Sequence, residues 1–258
     1  MRYDTLQYAV ADGVATVALA RPDARNALDA QMRSDLAHAF RRAGGEARAV
    51  VLTALGEAFS AGQGLGDAGN LRDLELGRTQ REETAPMIEA MQDCGAPIVA
   101  AVNGPASGAG AALALSADLV IAGESASFAF PGARIGMPPD AGVSWWLPRA
   151  VGPARAMGLY LFGQSVPAAQ AADWGLIWAC VPDPALSADA ARAARALAQG
   201  PTQALLAARR LMRDGAARGF SDQLEAEAEA LALAAGGREF LEGAVAQAED
   251  RPPAFGDP

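Results

Sequence analysis

Apolar residues recur along this chain in two rhythms, and the switches between them mark its elements. Tyr8-Ala9-Val10 and Val14 to Ala20 are strand-like runs on either side of Asp12-Gly13, a strong hairpin signal. Leu28, Met32, Leu36 and Phe40 then follow helical spacing, with Asn26 or Asp29 placed to cap the helix and Gly44-Gly45 expected to end it. Ala49 to Thr53 reads as a short buried strand. Residues 67 to 95 are polar and carry the cluster Arg81-Glu82-Glu83; they read as a mobile helical excursion with a solvated charged face.

Beyond Pro97, the run Ile98 to Val102 stops at Asn103-Gly104-Pro105, which demands a turn. Small residues follow from Ser107 to Ala112, then the helix-compatible Leu113 to Ser116. Pro138-Pro139-Asp140-Ala141-Gly142 precedes another helix, and Pro153 to Phe162 and Ala168 to Trp174 continue the helical pattern. From Leu186 onward the chain is alanine-rich helix, broken at Gly200-Pro201, Gly215, Gly219 and Gly236-Gly237. Alternating strands and helices predict an α/β layer fold. The shift in composition divides the chain into a core, residues 1–197, and a C-terminal helical region, residues 198–258, whose thin apolar faces suit packing against another subunit.

Composition narrows the chemistry. The chain has 258 residues, 51% of them hydrophobic and 20% charged. No apolar run reaches the roughly 18 residues of a membrane span, and the N-terminus does not read as a signal peptide, so a cytoplasmic protein is expected. A net charge of -9 argues against a nucleic-acid partner. Every basic residue is arginine, which removes Schiff-base lysines, the lysine of a phosphate-binding loop and serine–lysine dyads. The single histidine, His38, lies in the predicted helix and reads as a packing or surface residue. Cys94 and Cys180 read as buried small hydrophobes, and no metal site is expected.

Strand, glycine-rich turn and helix from Ile98 to Ser116 present bare backbone N–H groups at a helix start, a setting for an oxygen that becomes anionic. Ser107 lacks the first glycine of a nucleophile elbow and has only His38 as a base, so it reads as a helix-start residue. Gly62-Gln63-Gly64-Leu65-Gly66 and Gly108-Ala109-Gly110 lack the later spacing of a dinucleotide loop. Asp140 remains: a helix cap on one reading, and on the other a general base tuned by an apolar pocket that Phe128, Phe130, Trp145 and Trp146 would supply.

Several short segments, in this order, resemble the enoyl-CoA hydratase/isomerase (crotonase) superfamily. They are Arg21-Pro22 with Asn26-Ala27-Leu28; Ala58-Phe59-Ser60-Ala61-Gly62; Ala101-Val102-Asn103-Gly104 through Gly110; Ala117-Asp118-Leu119; Leu147-Pro148-Arg149; and Gly152 to Ala156. The resemblance implies a crotonase-like α/β fold, a spiral of ββα units with a C-terminal helical trimerisation region that builds homotrimers or hexamers. It implies an acyl-CoA thioester substrate and no separate cofactor, coenzyme A arriving as part of the substrate. It also implies an oxyanion hole made by the backbone N–H groups of Gln63 and Ala109.

Where hydratases of this family carry two glutamates, this chain has Ala112 and Gly132. Asp140 matches the aspartate of isomerase branches, and with Trp174-Gly175-Leu176-Ile177-Trp178 the chain looks most like the phenylacetate-pathway isomerase branch. The expectation is an acyl-CoA isomerase that shifts a double bond or opens a ring epoxide with Asp140 as its acid and base. The alternatives are an acyl-CoA-binding protein without catalysis and a hydrolase or dehalogenase with Asp140 as nucleophile. Ala61, Gln63, Gly64, Leu65, Gly66 and Ala109 are expected to line the substrate, with Arg25 and Arg251 as candidates for the coenzyme phosphates. Gly64 stands where the family usually has aspartate, and Asp67 follows it.

Overall fold

The computed structural model describes residues 3–64 and 74–256. Strands β1 (Leu6–Ala11) and β2 (Val14–Leu19) form the hairpin around Asp12-Gly13, and both turn residues have positive φ, as such a tight turn requires. β3 (Ala49–Ala54), β4 (Ile98–Val102), β6 (Leu119–Gly123) and β9 (Ala179–Val181) continue the sheet in parallel, in the order β1-β2-β3-β4-β6-β9. A smaller sheet joins β5 (Ala106–Ser107), β7 (Ser127–Ala129) and β8 (Ser165–Pro167). All five residues of β4 are buried, which is what a strand covered on both faces needs.

On one face the core takes in α1 (Ala30–Glu46), α3 (Ala85–Gln92), α4 (Ala109–Leu115), α5 (Val143–Val151), α6 (Pro153–Phe162) and α7 (Ala168–Asp173). The other face is covered by α8 (Leu186–Ala198), whose Leu186, Ala190, Ala194 and Ala198 pack on Val51, Val99 and Ile121. The last helices, α9 (Thr202–Gly215), α10 (Phe220–Ala235) and α11 (Arg238–Ala248), bury almost nothing within the chain. α9 is nevertheless tied to the core: Asp118 accepts from Arg209 (3.3 Å), Arg213 (2.8 Å) and the backbone N–H of Ile98 (2.8 Å).

Three local expectations are corrected. Gly44-Gly45 does not end α1, which runs on to Glu46. Instead, a Cβ on Gly44 would stand 2.5 Å from the Gly95 nitrogen, so glycine lets the helix approach the chain beyond α3. Helical structure runs from α2 (Leu76–Thr79) through a π-helical turn, Gln80–Thr84, into α3, and it packs on α1 rather than standing free. Glu83 is not simply solvated, since it pairs with the buried Arg33 at 2.7 Å. Residues 67 to 73 of that segment lie outside the described residues. Finally, Ser107 belongs to β5; α4 starts after Gly108, with no side-chain cap.

His38 is hydrogen bonded to the Tyr3 hydroxyl (2.8 Å), on the side of α1 that faces the hairpin. Cys94 is buried and Cys180 half-buried, and burial pushes both thiols up, away from the reactive thiolate form. Among the described residues, no helix is long and apolar enough to cross a membrane.

Candidate active site

The loops that leave β3 and β4 meet side by side. Ser60 and Ala106 form an isolated parallel bridge, and the Ser107 N–H donates to the Ser60 carbonyl at 2.9 Å. The approach is so close that two glycines are obligatory. A Cβ on Gly62 (φ +82°) would overlap the Ser107 carbonyl and come within 3.2 Å of the Ala109 nitrogen. A Cβ on Gly110 would lie 2.6 Å from the Ser60 carbonyl and side chain. Gln63 and Ala109 therefore stand on adjoining stretches of backbone. Neither of their N–H groups has an acceptor among the described residues. For Ala109 this follows from its place at the first position of α4, where the helix offers no partner. Two neighbouring backbone donors of this kind can stabilise an oxygen that gains charge during a reaction.

Two residues that sequence reasoning did not assign to the site hold these loops in place. Asn26 is fully buried with φ +52°; its Nδ2 donates to the carbonyls of Leu55 and Ala58, and its Oδ1 accepts from Arg21 N–H, each at 2.9 Å. The Ser60 hydroxyl, also fully buried, donates to the Asn26 carbonyl (2.7 Å) and accepts from the Gly62 N–H (3.2 Å). Asp29, not Asn26, caps α1, accepting from the Met32 N–H at 2.8 Å. A polar residue inside an otherwise tight loop was the available signal for Asn26, but nothing local marks it as a junction of three segments.

Arg25 is exposed beside this junction, and its carbonyl accepts from the Ala61 N–H at 2.8 Å. Gly64 is half-buried at the edge of the described residues; Leu65, Gly66 and Asp67 lie outside them. Arg251 is not brought to these loops. It pairs with Glu242 (2.7 Å) and Glu249 (2.6 Å), and its hydrogen bonds, with that of the Ala254 N–H, lower the Glu242 carboxyl to about 2. It lines a cavity of about 1560 Å³ between the C-terminal helices and the core, together with Arg48, Thr202 and Gln203. None of Gln63, Ala109 and Asp140 borders that space.

Asp140 does not cap α5. The helix begins after Gly142, which has positive φ, and no side chain caps it. The Asp140 carbonyl accepts from the Val143 N–H (2.9 Å), while its carboxyl makes no hydrogen bond to another residue among those described. Burial raises its pKa, with its own backbone N–H pulling the other way. The turn around it is held from several sides. Met137 N–H donates to the Gly132 carbonyl (2.9 Å), the Tyr160 hydroxyl donates to the Met137 carbonyl (3.0 Å), and Ala141 N–H donates to Gln80 Oε1 (3.2 Å). Ala141 itself is left-handed (φ +47°), a conformation that costs a non-glycine residue about 1–2 kcal/mol and persists only under such constraint.

The four aromatic residues expected to form an apolar pocket around Asp140 differ in exposure. Phe128 and Phe130 are buried core residues. Trp145 is exposed, with the Arg149 guanidinium 3.2 Å from its ring centre. Trp146 is half-buried and lies against Gly142. Ala112 is fully buried in α4, and Gly132 lies on the 3-10 turn Pro131–Ile135. Neither offers a proton-transferring group.

The chain belongs to the enoyl-CoA hydratase/isomerase family, whose sequence profile matches residues 9–258. It is 46% identical over 99% of both chains to a probable enoyl-CoA hydratase of Rhodobacter capsulatus. It is 36% identical to the 1,2-epoxyphenylacetyl-CoA isomerase of Escherichia coli, over 95% of this chain and 96% of that protein. A crystal structure of a putative enoyl-CoA hydratase/isomerase from Mycobacterium abscessus superposes with a TM-score of 0.92 at 36% identity, over 98% of this chain and all of that one.

Proposed function

We propose that this protein is an acyl-CoA isomerase that moves a proton within the acyl group with Asp140 as its acid and base. The thioester carbonyl would sit between the N–H groups of Gln63 and Ala109. Asp140 would take a proton from the acyl chain, the C–H electron pair flowing into the thioester to give an enolate held by the two donors. The same carboxyl would return the proton at another carbon. Atoms balance without water or a second acid.

The observation that carries this reading is a carboxyl at 140 without the two family acids at 112 and 132. Asp140 is half-buried with a raised pKa, while positions 112 and 132 have no acid to help add water. An elevated carboxyl pKa suits a group that must both accept and give back a proton. Arg25, exposed beside Ala61, is proposed to meet the coenzyme phosphates; Arg251, already paired twice, is the weaker candidate within one chain.

Hydration is the second reading, favoured by the name of the Rhodobacter capsulatus relative. The test is an assay of wild type and Asp140→Asn with 3-enoyl-CoA, 2-enoyl-CoA and epoxidised phenylacetyl-CoA. Isomerisation lost by about 10²-fold or more in the variant, with binding kept, is the expected result. Hydration of 2-enoyl-CoA that ignores the substitution would overturn it, and binding without any turnover would point to a non-catalytic acyl-CoA carrier.

We propose also that the chain works as a homotrimer or a hexamer of two trimers. The support is the apolar surface of the C-terminal helices, where Met212 (81% exposed), Phe220 (80%) and Leu233 (82%) find no cover within one chain.

A further inference from the structure

Gly132 and Tyr160 lie far apart in the sequence and occupy one spot in the fold. A Cβ on Gly132 would overlap the Tyr160 hydroxyl and stand 3.1 Å from its Cζ and 3.3 Å from the Met137 carbonyl. That carbonyl is the group to which the Tyr160 hydroxyl donates. Between Met137 and Asp140 the chain is Pro138-Pro139, which has no N–H to offer. Anchoring of this stretch therefore falls to its carbonyls and to the residues at its two ends. Tyr160 projects from α6, a separate element, so the bond fixes the turn from outside.

We infer that Tyr160 is a positioning residue: by gripping the Met137 carbonyl it sets the Asp140 carboxyl toward the acyl group, and by filling the space over Gly132 it bars a second acid from the site. The inference rests on the isomerase reading for its chemistry and on packing for its geometry. Burial keeps the phenol protonated, and the nearby Asp140 charge adds to this, so the donor persists wherever Asp140 works as a base. Gly132 is then explained as the residue that leaves the hydroxyl room. A chain with a side chain at 132 would have to give up this tyrosine contact.

The test is a double-mutant cycle of Tyr160→Phe and Gly132→Ala. Tyr160→Phe keeps the ring and removes the hydroxyl. It is expected to lower kcat for isomerisation by about 10- to 100-fold, as misplacement of a reacting group does, with KM changed by less than about two-fold. Gly132→Ala is expected to cost about as much alone and far less in the Tyr160→Phe background, where the obstructing atom is gone. An unchanged kcat in Tyr160→Phe, or an equal penalty for Gly132→Ala in both backgrounds, would overturn the inference.

A reaction-independent readout separates the two layers. Exchange of the Met137 amide, followed by NMR, is expected to quicken in Tyr160→Phe because the turn it closes is no longer pinned. If wild type isomerises nothing while Met137 exchange responds, the isomerase reading falls and the positioning stands. If exchange is unmoved, the positioning falls whatever the reaction.

Discussion

Gly62 and Ala109 touch across two loops: a Cβ on Gly62 would come within 3.2 Å of the Ala109 nitrogen, one of the two proposed oxyanion donors. Gly62 also has a φ of +82°, which a side chain resists. Gly62→Ala is expected to pry the loops apart and turn the Gln63 N–H away. A fall in kcat/KM of about 10²–10³-fold, the usual effect of losing one such donor, is expected in steady-state kinetics.

The raised pKa of Asp140 gives its activity and its stability opposite slopes. As the proposed base it would work ionised, so kcat/KM should fall as pH drops through its folded pKa, above the usual aspartate value of about 3.9. The folded protein binds this proton more tightly than the unfolded chain does. Stability therefore decreases as pH rises from the unfolded value through the folded one, and stays lower above it. Asp140→Asn removes that penalty. Its Tm should exceed wild type at pH 7 and approach it below pH of about 4, as scanning calorimetry would read.

Asn26→Ala should damage the fold more than any role in chemistry would suggest. It strands the carbonyls of Leu55 and Ala58 and the N–H of Arg21 in a partly buried place, at about 1 kcal/mol for each group left unpaired, the low end of the range for buried groups. Urea denaturation should show a loss of about 3 kcal/mol or more, with the residual activity falling in parallel.

Asp118 faces Arg209 and Arg213 in a mostly buried cluster. Asp118→Ala leaves two guanidinium groups without their acid, and breaking a buried pair this way costs about 3–5 kcal/mol. Because both arginines sit on α9, limited proteolysis should cut first within residues 202–215 in the variant.

Phe220→Glu with Leu231→Glu places charge on one exposed apolar face of α10, where the two residues lie about 20° apart around the helix. Light scattering after gel filtration should show trimers or hexamers for wild type and monomers for the double variant. Monomeric wild type would remove the proposed assembly.

Much of the architecture was legible because its signals are local. The Asp12-Gly13 turn, the all-apolar Ile98 to Val102 and the stop at Asn103-Gly104-Pro105 each dictate their own conformation through neighbouring dihedrals. The family resemblance likewise lay in short ordered segments. Gly44-Gly45 misled, since helix-ending glycines and glycines at a helix contact look alike until the contact partner is known. Asp140 after Pro138-Pro139 misled in the same way: the capping pattern was present, but two left-handed residues, Ala141 and Gly142, delay the helix start.

The sequence by itself determined the α/β order of elements, the bare glycine loops, and the presence of one carboxyl without the two family glutamates. Only the tertiary structure decided what surrounds them: Asn26 and Ser60 locking the loops, Gln80 holding the Ala141 N–H, and Tyr160 standing over Gly132. The physical reason is separation along the chain. Turn and helix preferences act over a few residues, whereas these bonds join side chains to backbone groups on distant elements, whose approach is set by how the whole core packs.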